Sequence, residues 1–456
     1  MTAVVDPPDP TWWRELSVAL AGVSLVVVLA LWVDGQGLQE LATVNGALHA
    51  VGRLLALLAS WLLLIQVLLM ARIPFLERGF GQDRIVRAHR LAGFTSFNLV
   101  VAHIVVTTTG YAGSTGMGVW GTLVDFVLSY PGLLLAVVGF VALCLVVVSS
   151  VRRARARLRY ESWHLLHLYA YLGAGLALPH QIWAGQEFSS NPVAAVFWWS
   201  CYAVAVGAVV VFRVGVPLTR SWRHGLVVDA VRRETIGVTS VTVAGRDLDR
   251  LGARPGQYLL WRFLGQPGWT RAHPYSLSAA PDGQRLRLTA VHVGDGSTRL
   301  DRLRPGSRVL VEGPYGRLHA GVRTQPKVLL MASGIGVTPM RALVEGLPQR
   351  PGDVVLVYRV HSLSDVLFEP ELARISGRTG ARVVTVPGPR HRDRPSWLPA
   401  GAAHLSDVDA LLRLVPDVAE RDVYLCGNEG WMQLACAAVV DAGVPADRIH
   451  MERFVW

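Results

Sequence analysis

Six apolar runs lie in the first half of the chain, at about 17–33, 47–70, 90–109, 132–150, 163–181 and 193–214. Each is near the length that spans the hydrocarbon of a bilayer, and the second half contains none. Such a chain has to build a membrane bundle first and a water-soluble structure second. A hydrophobic fraction of 52% agrees, being too high for an ordinary soluble protein. The net charge of +11 raises the question of nucleic acid, but the arginines gather beside the apolar runs. Arg72, Arg78, Arg84, Arg87 and Arg90 separate the second run from the third, and Arg152, Arg153, Arg155, Arg157 and Arg159 separate the fourth from the fifth. Arg213, Arg220 and Arg223 follow the sixth, while the alternate connections carry Asp34, Glu40, Asp125 and Glu187 and no arginine. This asymmetry predicts a multi-pass plasma-membrane protein with both termini in the cytoplasm, and it excludes a nucleic-acid partner. Asp6, Asp9 and nearby prolines before the first run favour a retained membrane helix over a cleaved signal. Cys144, Cys201, Cys426 and Cys436 form no CxxC pair, so neither a disulfide framework nor a zinc site is indicated.

The third run carries His89 and His103, fourteen residues apart, and the fifth carries His167 and His180, thirteen apart. In a helix the first pair sits about 21 Å apart along the axis and within roughly 40° of one face. Polar side chains in lipid are costly and default to function. Both helices run outward, which pairs His89 with His167 near the cytoplasmic face and His103 with His180 near the outer face. Imidazoles closing both axial positions of an iron suit electron transfer, so two stacked b-type haems are expected. Ideal helix leaves His167 and His180 about 140° apart, which Pro179 is expected to correct by loosening the last turn. His164 reads as an interfacial or propionate-facing residue, and His49 as an outer-end packing residue. Arg53, in the second helix, needs an anion: a haem propionate or an anionic acceptor. Arg87, Arg90 and Arg153 are placed to meet inner propionates.

From Trp222 onward short runs alternate with period two, as in GLVVDAV, VTSVTVAG, QYLLWRF, RLRLTAVHV and SRVLVEG, which predicts an antiparallel barrel or sandwich. From Gln325 the pattern changes to strand, glycine turn and helix in KVLLMASGIGVTPMRALVEGL. DVVLVYRV, ARVVTV and DVYLCG follow with helical segments between them, predicting a parallel doubly wound sheet. SGIGVTP, Ser333 to Pro339, lets the backbone approach a pyrophosphate through Gly334 and Gly336, although Pro339 stands where a third glycine would complete GxGxxG.

HPYS at 273–276, the Gly-Ser-Thr turn of VHVGDGSTRL, GPYG at 313–316, SGIGVTP and CGNEGWM at 426–432 together resemble the ferredoxin reductase type of FAD and NAD(P)H module. Joined to a helical domain with four histidines, this resembles the transmembrane NADPH oxidase and ferric reductase superfamily. The resemblance implies three domains: a six-helix all-α transmembrane bundle over 1–219, an antiparallel β-barrel for FAD over 220–322, and an α/β Rossmann-like NAD(P)H-binding domain over 323–456. It implies that Tyr275 stacks on the isoalloxazine, that Ser276 hydrogen-bonds the flavin, and that His273 and Pro274 shape its site. His292, Ser297 and Thr298 would contact the FAD pyrophosphate. Gly334, Gly336, Thr338 and Pro339 would form the nucleotide's phosphate turn, and Cys426 and Gly427 would lie beside the nicotinamide. Trp456, the terminal aromatic, would cover the flavin. Arg359 and Ser362 favour a 2′-phosphate and hence NADPH, whereas Asp365 nearby favours a ribose hydroxyl.

The expected activity is electron transfer from cytosolic NAD(P)H through FAD and two haems to a small extracytoplasmic acceptor, oxygen or ferric iron, with no obligatory protein partner. Thr107 stands where oxidases of the superfamily often carry a further histidine, which speaks against superoxide. A different class, a nucleotide-sensing transporter or anchor with histidines as proton relay, demands acidic residues within the helices. These helices contain almost none.

Overall fold

The computed structural model describes residues 12–151, 160–185, 191–266, 268–391 and 394–452. They fall into two compact units, one ending at Arg213 and the other beginning at Val214.

The first unit is helical: α1 (Trp12–Asp34), α2 (Val44–Met70), α3 (Pro74–Phe80), α4 (Gln82–Thr115), α5 (Gly118–Ser129), α6 (Leu133–Ser150), α7 (Tyr160–Ala184) and α8 (Pro192–Ala208). Among the described residues five helices are long and apolar enough to cross a membrane: Trp12–Asp34, Val44–Met70, Arg84–Thr115, Leu133–Ser150 and Pro192–His224. The expected fifth span forms the 25-residue α7. Its three histidines, three tyrosines and Pro179 lower its apolar character, so it falls outside that set. The connection expected over 110–130 holds the end of α4 and the whole of α5. Local signals set the ends: the Asn191 side chain accepts from the amides of Val193 and Ala194 at the start of α8, with Pro192 in the first turn.

Small residues bring these helices together, as expected where lipid gives no hydrophobic drive. A Cβ on Gly52 of α2 would stand 2.3 Å from Thr107 Oγ1 of α4. On α6, Gly139 lies against the Gly173 carbonyl of α7, and Gly173 lies against that of Gly139. The principal pairings are therefore α2 with α4 and α6 with α7.

In the second unit, helix α9 (Val216–His224) leads into strands β1 (Val227–Thr235), β2 (Val238–Ala244), β3 (Tyr258–Phe263), β4 (His273–Ser276), β5 (Arg285–Val291) and β6 (Val309–Tyr315). They form two antiparallel three-stranded sheets, ordered β1-β2-β5 and β4-β3-β6. Isolated bridges, Val227 with Arg308 and Leu277 with Leu288, join the sheets at both edges. Between them lies an apolar core that includes Trp261, Leu259, Leu277 and Leu288.

The last part alternates strand and helix: β7 (Val328–Ser333), α10 (Val337–Gly346), β8 (Val354–Val360), α11 (Glu369–Thr379), β9 (Arg382–Pro387), α12 (Asp407–Leu414), β10 (Asp422–Cys426), α13 (Glu429–Asp441) and β11 (Ile449–Glu452). The sheet order is β11-β10-β7-β8-β9 and every pairing is parallel. Strand β11, four residues long, adds to the strands legible in the sequence. The chain leaves β7 toward β8 and β9 and later returns to β10 on the other side. The switch point, where such sheets bind ligands, is therefore between the carboxyl ends of β7 and β10.

Asp422 anchors the amino end of β10. It is fully buried, and its carboxylate accepts from the amides of Thr324 and Gln325 and lies 3.2 Å from His450 Nε2. Burial raises its pKa, but His450 and the two amides outweigh that and hold it below the usual carboxylate range. Its contribution to stability is thus complete above that range and lost as pH falls through the lowered folded value. Asp422→Ala is expected to destabilise the fold by about 3 kcal/mol, because two buried amides lose their acceptor. Denaturant titration at pH 7 should show that loss, and the wild-type advantage should shrink below pH 4.

Candidate functional site

The membrane site begins with a ladder between α2 and α4. His89 Nδ1 lies 3.2 Å from the Gln66 carbonyl, Ser96 Oγ donates to that of Ala59 at 2.8 Å, and His103 Nδ1 lies 2.8 Å from that of Gly52. Donors at 89, 96 and 103 meet acceptors at 66, 59 and 52. Both series step by seven, about two helical turns, so the antiparallel helices stay in register along their length. Thr107 Oγ1 is also 3.2 Å from His103 Nδ1. A histidine that gives its Nδ1 proton to a carbonyl holds the tautomer whose Nε2 is free to ligate a metal.

The His89 and His167 ring centres are 5.9 Å apart, at an interplanar angle of 66°. Two imidazole nitrogens each about 2 Å from one metal, plus about 1.1 Å to each ring centre, require roughly 6 Å. His167 Nδ1 is 3.4 Å from Ser150 Oγ at the end of α6, and Trp163 packs on its ring at 5.0 Å. His180 lies within electrostatic reach of His103. The His180 Nδ1 is buried with no hydrogen bond of ordinary geometry among the described residues. Gly132, at φ +82°, packs against the backbone of His180, where a Cβ would meet its amide nitrogen at 2.7 Å. Among the described residues no three His, Cys, Asp or Glu side chains converge on one point. A metal here would have two protein ligands and would bring the rest of its coordination with it, as haem does.

Arg53 is met by the chain itself, through the Gly35 carbonyl and Glu40 at 3.5 Å. His49 stacks edge-on to Tyr111 at 4.3 Å and approaches Ser114 Oγ. Arg153 lies outside the described residues.

In the second unit β4 and the turn after β5 face one another. A Cβ on Gly296 would stand 2.3 Å from the His273 ring, so glycine is needed for that approach. His273 stacks near Tyr275 at 6.2 Å, and Pro274 pairs with Leu260 on β3. Burial pushes the Tyr275 hydroxyl well above its usual range, which keeps it neutral. Ser276 Oγ is buried with no hydrogen-bond partner among the described residues, which suits a ligand atom. His292 turns inward to Thr239 Oγ1 at 2.9 Å and Asp301 at 3.5 Å. The Ser297 hydroxyl accepts the amides of Val293 and Gly294, and Thr298 donates to the Gly294 carbonyl. These three side chains shape the turn through internal hydrogen bonds.

At the switch point Gly334 adopts φ +55° and Gly336 abuts β10, where a Cβ would meet the Cys426 carbonyl oxygen at 2.2 Å. Thr338 closes the turn onto the Ile335 carbonyl at 2.9 Å, and Pro339 is buried in the first turn of α10. Gly427 packs on Ser333 in the same way. Cys426 is fully buried, and burial together with Glu452 pushes its thiol well above the usual range. Glu452 pairs in register with Cys426, and its carboxylate would meet a Cβ on Gly316 at 2.5 Å. It thus brings GPYG to the nucleotide turn, a role the sequence reading missed. The period-two run IHME before the terminal aromatics was the available signal.

Arg359 differs from expectation. It is 5% exposed, and its guanidinium donates to the carbonyls of Val360, Val386 and Pro389. It braces the loop after β9. Ser362 and Asp365 close on each other as a capping box. Trp456 lies outside the described residues.

Residues 55–178 match the family model of the ferric reductase like transmembrane component, and residues 330–437 match that of the oxidoreductase NAD-binding domain. The chain thus has a ferric reductase and NADPH oxidase-like architecture, a transmembrane component carrying His89, His103 and His167 joined to an FAD/NAD reductase module. Both matched models describe domains of oxidoreductases. The chain is 31% identical over 211 residues to the ferredoxin reductase component of 3-ketosteroid-9-alpha-monooxygenase of Mycolicibacterium smegmatis, covering 45% of this chain and 57% of that protein. It is 30% identical over 216 residues to a flavohemoprotein of Chromobacterium violaceum, covering 44% and 52%. Among solved structures, the FAD/NAD binding domain of Vibrio cholerae nitric oxide dioxygenase is similar at a TM-score of 0.41 and 26% identity, covering 50% of this chain and 97% of that one. The chain spans less than two thirds of the length of these curated relatives.

Proposed function

We propose that this protein carries electrons from cytoplasmic NAD(P)H through FAD and two b-type haems to a small acceptor, oxygen or ferric iron, on the far side of the plasma membrane. The observation that carries this reading is the pair His89 and His167, 5.9 Å apart, with His89 Nδ1 turned to a peptide carbonyl. His103 and His180 make the second pair. When bound, the nucleotide, flavin and haems supply the redox chemistry, in which a hydride's two electrons become single electrons. The chain's own residues bind and orient. Gly334 and Gly336 open the nucleotide turn, Ser276 offers its hydroxyl to the flavin, and the α2 carbonyls fix the imidazoles. Nothing in this scheme requires a general acid within the membrane.

With Arg359 engaged by carbonyls, both NADH and NADPH stand as donors. The test is a reduced-minus-oxidised spectrum of the purified protein, followed by anaerobic addition of each nucleotide. Low-spin b-type bands appearing after flavin bleaching are expected, and their absence would remove the haem assignment. Side-by-side assays of superoxide formation and ferric reduction then choose the acceptor.

A further inference from the structure

Between the β module and the parallel sheet lies a partly buried network of four charges. Glu371 of α11 accepts both Nη atoms of Arg287 from β5, at 3.0 and 2.9 Å, and lies 2.9 Å from Arg341 Nε on α10. Arg341 also pairs with Glu345 one turn on, and Glu345 accepts the Ala280 amide just after β4 at 2.8 Å. Arg287 reaches back to the flavin strand as well, donating to the Ser278 hydroxyl and carbonyl at 3.1 and 2.8 Å, and its guanidinium lies over the Phe368 ring at 5.0 Å. Beneath it runs a buried hydroxyl chain, Ser278 to Thr289 to Ser240. Arg287, Arg341 and Glu371 have side-chain exposures of 17%, 7% and 12%.

The position of this network matters more than its strength. Ser278 is two residues beyond Ser276, and α10 starts in the nucleotide turn itself. The backbones are close at the same seam, where a Cβ on Gly346 would meet Pro255 at 2.3 Å and Ala280 at 3.3 Å. A bidentate arginine–carboxylate pair shielded from solvent fixes geometry more than it adds stability.

We infer that Glu371, clamped between Arg287 and Arg341, is a positioning residue that sets the approach of the nicotinamide to the flavin. This rests on the proposed NAD(P)H and FAD reading. A misplacement of about 1 Å can cost on the order of 100-fold in rate. The full chain in detergent is compared with Glu371→Gln, Glu371→Asp and the exposed control Arg374→Gln, on the same helix but bonded only to the Pro370 carbonyl. Anaerobic stopped-flow follows flavin reduction with protiated and 4-deuterated nucleotide, and hydrogen exchange follows residues 278–290 and 337–346. For Glu371→Gln the expected result is flavin reduction slowed about 10-fold or more, with nucleotide affinity and FAD content within about twofold of wild type. Exchange should rise on both segments, Glu371→Asp should recover part of the rate, and the control should match wild type. If Glu371→Gln fails to fold, Arg287→Lys, which keeps the charge and loses the fork, carries the same expectations. A wild-type rate, or unchanged exchange on both segments, overturns the clamp. So does a rate loss matched by equal loss of FAD. Failure of either nucleotide to reduce the wild-type flavin would instead overturn the functional reading, with the exchange measurement still judging the clamp.

Discussion

Replacing His103 with alanine is expected to leave NAD(P)H reduction of the flavin at its wild-type rate while electron delivery to an outside acceptor collapses. His103 sits at the end of the α2–α4 ladder, with its Nδ1 held by the Gly52 carbonyl. Removing an outer partner of a metal-bound histidine costs roughly 10–100-fold in affinity or activity, and removing the ligand itself should exceed that. One of two haem signals should disappear from the reduced spectrum, and ferricyanide, which can accept from the flavin directly, should still be reduced. Unchanged delivery to an impermeant acceptor would contradict the assignment of His103.

The second large effect is expected at Gly336. A methyl group there would sit 2.2 Å from the Cys426 carbonyl oxygen, 2.5 Å from its carbon and 2.8 Å from the Gly427 nitrogen. All three are backbone atoms, so no rotamer change relieves the contact, and β7 and β10 must part at the switch point. Overpacking of this kind costs about 1–3 kcal/mol. Because the displaced turn is the one proposed to hold the nucleotide, flavin reduction by NAD(P)H should fall about 100-fold. Gly334→Ala gives the comparison. Its φ of +55° is unfavourable for alanine, but its Cβ meets nothing within 4 Å, so a loss of about 1 kcal/mol and a smaller kinetic effect are expected. Thermal melts and stopped-flow reduction of the two variants, measured together, separate steric displacement from simple backbone strain.

Much of the architecture was legible because its signals are periodic. Apolar runs of membrane length, period-two strands and the strand–glycine–helix of SGIGVTP each reflect a local rule that tertiary structure obeyed. The helix over 160–184 shows where that rule weakens, since the histidines that make it interesting also dilute the hydrophobicity that would mark it as a span. Contacts made by backbone atoms were not legible. Gln66, Ala59 and Gly52 act through carbonyls that every residue possesses, so only the seven-residue spacing of His89, Ser96 and His103 on the partner helix hinted at them. The surroundings of Arg359 were equally hidden. An arginine at a strand end reads as a cation for a ligand, and only the fold reveals three carbonyls converging on it. Glu452 stands on a four-residue strand, so the alternation of IHME was a signal present but weak against the neighbouring loops.

The rungs between α2 and α4 end on peptide oxygens, and a peptide oxygen neither gains nor loses a proton across the pH range of a living cell. An imidazole leaning on such a partner is held by something that acidity cannot switch off and that no side-chain substitution on α2 can delete. Any charge passed beside His89 and His103 would therefore meet, on the α2 side, partners that exchange no proton of their own.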